Sequence, residues 1–192
     1  MQFEFKDFVI FPDDPSATPE RITQYKDYYK IKYDICAEIK PKRIAEIGVR
    51  AGYSAWTFMQ AAPTAEYYGF DANNGTHGGA GGEDGKFAAW AKKLLLPYNT
   101  TVFQMDTQKQ TTLPVHQIDL FHVDGDHTTM GVRHDLDLAL TCLSDTGRIL
   151  VDDITYIREV SDGVFIWLDE HKKDISYKFI PSLRGEMLIW KK

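Results

Sequence analysis

Carboxylate side chains follow two apolar runs of this sequence. Asp124 comes directly after the run 118–123, and Asp152 and Asp153 follow the run 148–151. We expect these carboxylates to converge, because the carboxyl ends of parallel strands meet at the ligand-binding edge of an open α/β sheet. Their mutual repulsion requires protonation, hydrogen bonds from loop amides or a hard divalent cation such as Mg²⁺. We favour the cation.

A histidine lies three residues after the first of these carboxylates. The imidazole of His127 exchanges a proton near neutral pH, so this residue is our candidate general base. The alternative is a structural histidine that is hydrogen-bonded within its own turn. Asp126 either orients the ring or caps the following helix, and we expect it to cap.

A glycine-rich turn follows the first predicted strand. Glu46, Gly48 and Gly52 are spaced E-x-G-x-x-x-G, which lets the backbone turn tightly and approach a ligand at the start of the next helix. Asp71 ends the second strand, where a carboxylate accepts hydrogen bonds from the hydroxyls of a ribose. The alternative is a turn that only joins strand to helix. Because the spacing differs from the G-x-G-x-x-G of dinucleotide sites, we predict a mononucleotide-type ligand.

These residues resemble the first motif of the class I S-adenosylmethionine-dependent methyltransferases, and the resemblance extends from about Lys42 to the C-terminus. It implies that Asp71 holds the ribose hydroxyls. Arg50, inside the turn, is expected to meet the methionine carboxylate, with exposure to solvent as the alternative. Asp106 is then expected near the adenine, unless it only caps the next turn. The implied cofactor residues are Glu46, Gly48, Arg50, Gly52, Ser54, Asp71, Asp106 and Asp124.

A second resemblance concerns the acidic cluster. Asp124, Asp152 and Asp153 look like the three-carboxylate metal site of the catechol-type, macrocin and mycinamicin O-methyltransferases. In those families one ligand follows the fourth strand and two follow the fifth. Asp153 stands where the catechol enzymes have asparagine, which changes the charge of the site but not the type of ligand atom. The macrocin and mycinamicin enzymes also carry a histidine at the offset of His127.

The two resemblances imply O-methyl transfer from S-adenosylmethionine, with Mg²⁺ or another divalent cation as a second cofactor. We expect the acceptor to be a hydroxyl of a small molecule, namely a sugar, a polyol or a catechol-like compound. Two alternatives stay open: a metal-independent methyltransferase, whose carboxylates bind loops and cofactor, and a non-catalytic protein that retains the cofactor fold. The glycine spacing disfavours a nucleotide-dependent dehydrogenase.

The elements that must position these residues follow from hydrophobic patterning. Short runs rich in Val, Ile and Phe alternate with segments of helical period, which is typical of a parallel sheet flanked by helices. We predict a single Rossmann-like α/β domain with a seven-stranded, mostly parallel sheet that ends in an antiparallel hairpin. Residues 1–40 form an N-terminal arm and a helix from Pro19 towards Lys40, and residues 41–192 form the S-adenosylmethionine-binding part of the same domain. The predicted strands are 43–47, 67–71, 101–105, 118–123, 148–151, 176–180 and 186–190.

The composition of the chain argues against some classes of partner. The chain has 192 residues, a formal charge of −6 and no long basic run, so we expect no nucleic-acid partner. It lacks both an apolar stretch of about 18 residues and a signal-peptide pattern, which predicts a cytoplasmic protein without membrane contact. Cys36 and Cys142 are predicted to be buried thiols. Exposed aromatic residues of the arm are compatible with a homodimer.

Two further segments have open roles. The loop 73–85 contains six glycines and is either a surface excursion or a lid over the site. Trp90, on the next helix, either stacks on the adenine or packs in the interior.

Overall fold

The computed structural model describes residues 10–14, 18–72 and 85–192. Residues 73–84 of the loop 73–85, predicted to be a surface excursion or a lid, lie outside this part of the chain, as do residues 1–9 and 15–17. The helices are α1 (Pro19–Gln24), α2 (Lys26–Ile39), α3 (Tyr53–Ala61), α4 (Lys86–Leu95), α5 (Thr129–Cys142) and α6 (Arg158–Glu170). The strands are β1 (Arg43–Ile47), β2 (Glu66–Asp71), β3 (Thr100–Gln104), β4 (Ile118–Val123), β5 (Leu143–Val151), β6 (Ile175–Ile180) and β7 (Glu186–Lys191).

The strands form one seven-stranded sheet in the order β3-β2-β1-β4-β5-β7-β6. Strands β1 to β5 pair in parallel, and β7 runs antiparallel between β5 and β6. The predicted fold class is therefore confirmed, including the terminal hairpin. The strand order reverses between β1 and β4, so the crevice expected at such a switch point lies beside the glycine turn and Asp124.

Helices cover both faces of the sheet. On one face, α5 and α6 pack through residues such as Leu136, Val164 and Trp167. On the other face, α2, α3 and α4 contribute Cys36, Phe58 and Leu95. Side chains alternate along each strand, so every second strand residue points towards α2 and α3. The buried residues of α2, which precedes the glycine turn in the chain, thus pack in the same hydrophobic core as this face of the sheet.

Some predicted boundaries were wrong. The helix from Pro19 to Lys40 is interrupted at Tyr25, whose φ of −82° and ψ of 0° loosen the turn between α1 and α2. The fifth strand begins at Leu143 rather than Arg148, because a register irregularity lets it pair with β4 directly after α5. Asp126 does not cap α5. Thr128 does so, through its hydroxyl, which accepts a hydrogen bond from the amide of Gly131.

Two predictions from composition concern thiols and membranes. Cys36 and Cys142 are both free and buried, as expected. Within the described residues, no helix combines the length and the apolar character needed to cross a membrane.

A buried carboxylate ties α5 to the loops at the site. Asp135 accepts hydrogen bonds from the hydroxyl of Thr107 at 2.8 Å and the amide of Gln108 at 2.9 Å, and from the backbone amide of Asp126 at 3.3 Å. Burial raises the pKa of Asp135 to about 6, although these hydrogen bonds oppose the shift. The folded protein therefore binds a proton more tightly here than the unfolded chain does.

This difference predicts a pH-dependent stability. Below about pH 3.9, the usual pKa of an aspartate, the protonated Asp135 contributes its full stabilisation, which is lost as the pH rises through about 6. The free energy of unfolding of the wild type, relative to Asp135→Asn, should fall by about 2 kcal/mol between pH 4 and pH 7. Urea denaturation at several pH values measures it. Asp145→Asn, at an exposed position, is the control, and parallel pH profiles for all three proteins would contradict the assignment.

Candidate active site

The glycine turn holds β1 against the loop that follows β4. Gly48 has a φ of +92°, and a Cβ built on it would lie 1.9 Å from the carbonyl oxygen of Asp124. Gly52, with a φ of +78°, stands at the N-cap of α3, and its Cβ would meet Ala91 of α4 at 3.1 Å. Position 48 thus requires glycine for two reasons, its positive φ and the closeness of the Asp124 backbone. This close approach brings the turn into contact with Asp124 of the predicted acidic cluster.

The polar residues of the turn bind one another. The backbone amide of Arg50 donates to Oδ2 of Asp71 at 2.7 Å, which joins the ends of β1 and β2. The Arg50 guanidinium makes two hydrogen bonds of 2.9 Å to the carboxylate of Asp14 and lies over the ring of Phe87. The pair with Asp14 differs from both roles predicted for the Arg50 side chain. The sequence did not indicate this pair, because the partner lies 36 residues earlier in the chain.

Glu46 lies inside the protein rather than at the surface of the crevice. Its carboxylate accepts hydrogen bonds from the hydroxyls of Ser54 and Tyr67 and contacts Nδ1 of His122 at 2.7 Å. Both oxygens are therefore engaged by protein donors. This arrangement fixes the first turn of α3 relative to β1, so that Glu46 and Ser54 shape the glycine turn from beneath.

The candidate base and two predicted metal ligands are brought together. Nε2 of His127 lies 3.7 Å from Oδ1 of Asp124 and 3.7 Å from Oδ2 of Asp153. The contact with Asp124 raises the pKa of His127. Burial alone would raise the pKa of Asp124, but the imidazole and nearby positive charge lower it. The imidazole therefore faces an ionised carboxylate.

Asp153 is the most constrained member of this group. It is 1% exposed and has a φ of +62°, a conformation that costs energy in any residue with a Cβ. Its Oδ1 accepts a hydrogen bond of 2.9 Å from Arg184, whereas its buried Oδ2 has no hydrogen-bond partner among the described residues. Burial and the neighbouring carboxylates of Asp124 and Asp152 raise the pKa of Asp153.

A second, fully buried cluster lies beside the first and was not predicted from the sequence. Nζ of Lys32 on α2 contacts Nε2 of His122 at 2.9 Å, Oδ2 of Asp152 at 3.1 Å and Oε1 of Glu186 at 2.9 Å. The hydroxyl of Tyr28 also donates to Asp152. One signal was available in the sequence: Tyr28, Lys32 and Cys36 are four residues apart, so a lysine stands in a buried helical stripe.

Two overlapping sets of side chains are close enough to bind a cation. Asp124, His127 and Asp153 form one, and His122, Asp124 and Asp152 form the other. The first fits a hard cation, because it includes Oδ2 of Asp153, a buried oxygen with no hydrogen-bond partner among the described residues. In the second, Lys32 already lies between His122 and Asp152. Asp152 therefore lies close to Asp124 in the second set, but it also contacts Lys32 there.

The remaining predicted residues are Asp106, in the loop after β3, and Trp90, on α4. Oδ1 of Asp106 accepts a hydrogen bond from the amide of Gln108 and caps a 3-10 turn at Thr107–Lys109, as the alternative reading of this residue proposed. Trp90 stacks on Phe11 with a centroid separation of 5.1 Å, which matches the packing role. Neither observation tests whether the adenine lies nearby.

Comparison with known proteins agrees with the fold and the glycine turn, which together define a class I methyltransferase. A family model described as a methyltransferase domain matches residues 45–154. The chain belongs to this methyltransferase-domain family, and the predicted resemblance to the S-adenosylmethionine-dependent enzymes is confirmed. The uncharacterized protein y4gI of Sinorhizobium fredii is 28% identical over 133 residues, 66% of this chain. The chain spans about 14% of the length of that relative.

Solved structures show the same fold at low sequence identity. The SAH-bound methyltransferase PaMTH1 of Podospora anserina has a TM-score of 0.63 and 21% identity, over 95% of this chain and 82% of that one. The O-methyltransferase TomG of Streptomyces achromogenes, in complex with SAM, has a TM-score of 0.65 and 16% identity over 94% and 83% of the two chains. An O-methyltransferase from Bacillus cereus, in complex with SAH, has a TM-score of 0.66 and 14% identity over 94% and 84%.

The contrast between the two glycines of the turn is testable. Gly52→Ala should cost about 1–2 kcal/mol of unfolding free energy, because the left-handed backbone disfavours any Cβ. Gly48→Ala should cost about 3 kcal/mol or more, since its Cβ would also overlap the backbone of Asp124. Denaturant titration of both variants measures the difference. Equal losses of unfolding free energy in the two variants would contradict the prediction, because they would mean that the structure relieves the overlap at position 48 without cost.

Proposed function

We propose that this protein is an S-adenosylmethionine-dependent O-methyltransferase that acts on a small-molecule hydroxyl with the help of a divalent cation such as Mg²⁺. The observation that carries the proposal is the position of His127. Its Nε2 lies 3.7 Å from two carboxylates, Asp124 and Asp153, and the backbone of Asp124 packs against Gly48 of the glycine turn. A proton acceptor thus stands directly beside the turn that we assign to the methyl donor.

The turn residues would hold the donor. Asp71 ends β2 next to the turn and is half-buried, so its carboxylate is placed to accept hydrogen bonds from ribose hydroxyls. Gly48 and Gly52 keep the backbone free of side chains at the start of α3. Arg50 shapes the turn through Asp14 and Asp71, and its guanidinium remains our proposal for the methionine carboxylate.

His127 would take the proton of the acceptor hydroxyl. Methyl transfer to oxygen needs a nucleophile that is held in line with the methyl group and has lost its proton. Asp124 fixes the orientation of the imidazole and stabilises it once it is protonated. His127 is about one-third exposed, so an acceptor that enters the crevice reaches it without displacing core residues.

Asp124 and Asp153 would hold the cation. Mg²⁺ in enzymes is commonly bound by one or two carboxylates, with substrate and water completing the shell. When bound, such an ion lowers the pKa of a coordinated hydroxyl and orients it. The unpartnered Oδ2 of Asp153 is the specific feature that favours this assignment.

The acceptor class remains the proposal made from the sequence: a sugar, a polyol or a catechol-like compound. The aromatic rings beside Asp153 are compatible with each of these. Tyr156 is exposed, and its ring packs on the guanidinium of Arg184 at 4.6 Å, so a flat or apolar face of an acceptor would meet an aromatic surface next to the cation-binding carboxylates.

The donor site is tested by calorimetry with S-adenosylhomocysteine. Asp71→Asn should weaken binding by about tenfold to a hundredfold, because hydrogen bonds to a charged group contribute about 1.5–3 kcal/mol. Asp34→Asn, on the exposed side of α2, should bind like the wild type. Unchanged affinity in the Asp71 variant would remove this residue from the donor site, and no binding by the wild type would remove the proposed function.

Transfer itself is tested with labelled S-adenosylmethionine and three acceptors: catechol, a methyl glycoside and glycerol. With the acceptor that is methylated, EDTA and Asp124→Asn should each abolish turnover, and added Mg²⁺ should restore the chelated wild type. His127→Gln should lower kcat by about 10²–10⁴-fold while S-adenosylhomocysteine affinity is unchanged. His116→Gln is the matched control at an exposed position. Full activity of the His127→Gln variant would contradict the assignment of His127 as the base.

A second candidate is a metal-independent methyltransferase. It is favoured by one observation: Lys32 and Arg184 already supply positive charge to Asp152 and Asp153. In that enzyme Arg184 and His127 would orient the acceptor without an ion. Turnover that persists in EDTA, together with inactivity of His127→Gln, would identify it.

A further inference from the structure

The amino group of Lys32 occupies the centre of a closed ion network. The side chain is 0% exposed, and its Nζ lies within 3.1 Å of groups from three different strands: His122 of β4, Asp152 after β5 and Glu186 of β7. Burial alone would lower the pKa of Lys32, but Asp152 and Glu186 outweigh burial and raise it. The lysine is therefore a permanent cation in the interior.

The hydrogen-bonding roles in this network follow from the lysine. An ammonium group only donates, so Nε2 of His122 must accept from Lys32. The proton of the neutral imidazole then lies on Nδ1 and is donated to Oε1 of Glu46 at 2.7 Å. The free electron pair of His122 is consequently used by Lys32 and is not available to a metal ion.

Asp152 is satisfied in the same way. Its Oδ2 accepts from Lys32 and from the hydroxyl of Tyr28, and its Oδ1 accepts from the backbone amide of Asp153 at 2.7 Å. Asp153 differs, because its buried Oδ2 lies 3.7 Å from Nε2 of His127 and has no hydrogen-bond partner in the described part of the chain. The chain thus supplies a cation to each of the two adjacent aspartates, Lys32 to Asp152 and Arg184 to Asp153, but only Asp153 keeps a carboxylate oxygen without a hydrogen bond from the described residues.

We propose that Lys32 is a positioning residue that withholds Asp152 from the cation site, so that a divalent ion binds Asp124 and Asp153 alone. This inference rests on the cation of the proposed function. Lys32 holds Asp152 towards α2, and its positive charge opposes entry of a second cation among His122, Asp124 and Asp152. The ligand set is therefore smaller than the three aspartates that the sequence predicts, and α2 determines it.

The test is binding of Mn²⁺ alone to the full chain, measured from the electron paramagnetic resonance signal of the free ion. Lys32→Met removes the charge and releases Asp152, so the affinity for Mn²⁺ should rise at least tenfold. Glu186→Gln keeps Lys32 on Asp152 and should leave the affinity unchanged. Lys30→Met removes an exposed lysine of the same helix, whose ammonium group pairs with Asp34, and is the matched control.

Loss of a buried charge partner can prevent folding. The double variant Lys32→Met/Glu186→Leu, which removes two opposite charges together, serves if the single variant does not fold, with the same expected gain. A decrease or no change in Mn²⁺ affinity when Lys32 is replaced would overturn the proposal, since a purely structural lysine gives that result. If neither the wild type nor the variants bind Mn²⁺, the inference fails with the metal dependence, whereas binding of S-adenosylhomocysteine separately decides the methyltransferase assignment.

Discussion

Carboxylates on adjacent strands converge at one edge of this sheet, and their repulsion must be offset before the chain can fold. Two cations from distant parts of the sequence do so: Lys32 of α2 contacts Asp152 and Glu186, and Arg184 of the terminal hairpin contacts Asp153. Because buried charges are stable only when paired, α2 and the hairpin must dock before the edge of the sheet is complete. The position of these two elements is thus part of the site and not an addition to it.

The same constraint gives the three aspartates of the site different environments. Asp152 is satisfied by Lys32 and Tyr28, whereas Asp124 and Asp153 each have a carboxylate oxygen 3.7 Å from Nε2 of His127. A compact pair of carboxylates and one proton acceptor therefore stand beside the glycine turn, where Gly48 lets the backbones of β1 and β4 approach. In the proposed function, donor binding and proton transfer meet at this contact, where a Cβ at position 48 would overlap the carbonyl oxygen of Asp124.

Lys32 and Arg184 both lie outside the region 45–154 that the methyltransferase-domain model matches. The shared region supplies the turn, Asp124, His127 and the two consecutive aspartates. The flanking helix and hairpin then decide which of these carboxylates stay unpaired. In this chain, the environment of the site therefore depends on residues that the matched region does not contain.

The sequence by itself determined the alternation of strands and helices, the terminal hairpin, the glycine turn and the edge at which Asp124, His127 and Asp153 meet. These follow from local patterning and from the geometry of parallel sheets, which place strand ends together whatever else the chain does. Only the tertiary structure decided the partners of Asp152, Arg50 and Glu46. Those partners, Lys32, Asp14 and His122, lie 120, 36 and 76 residues away in the chain. Pairing between buried charges depends on which elements pack together, and no local pattern encodes that choice.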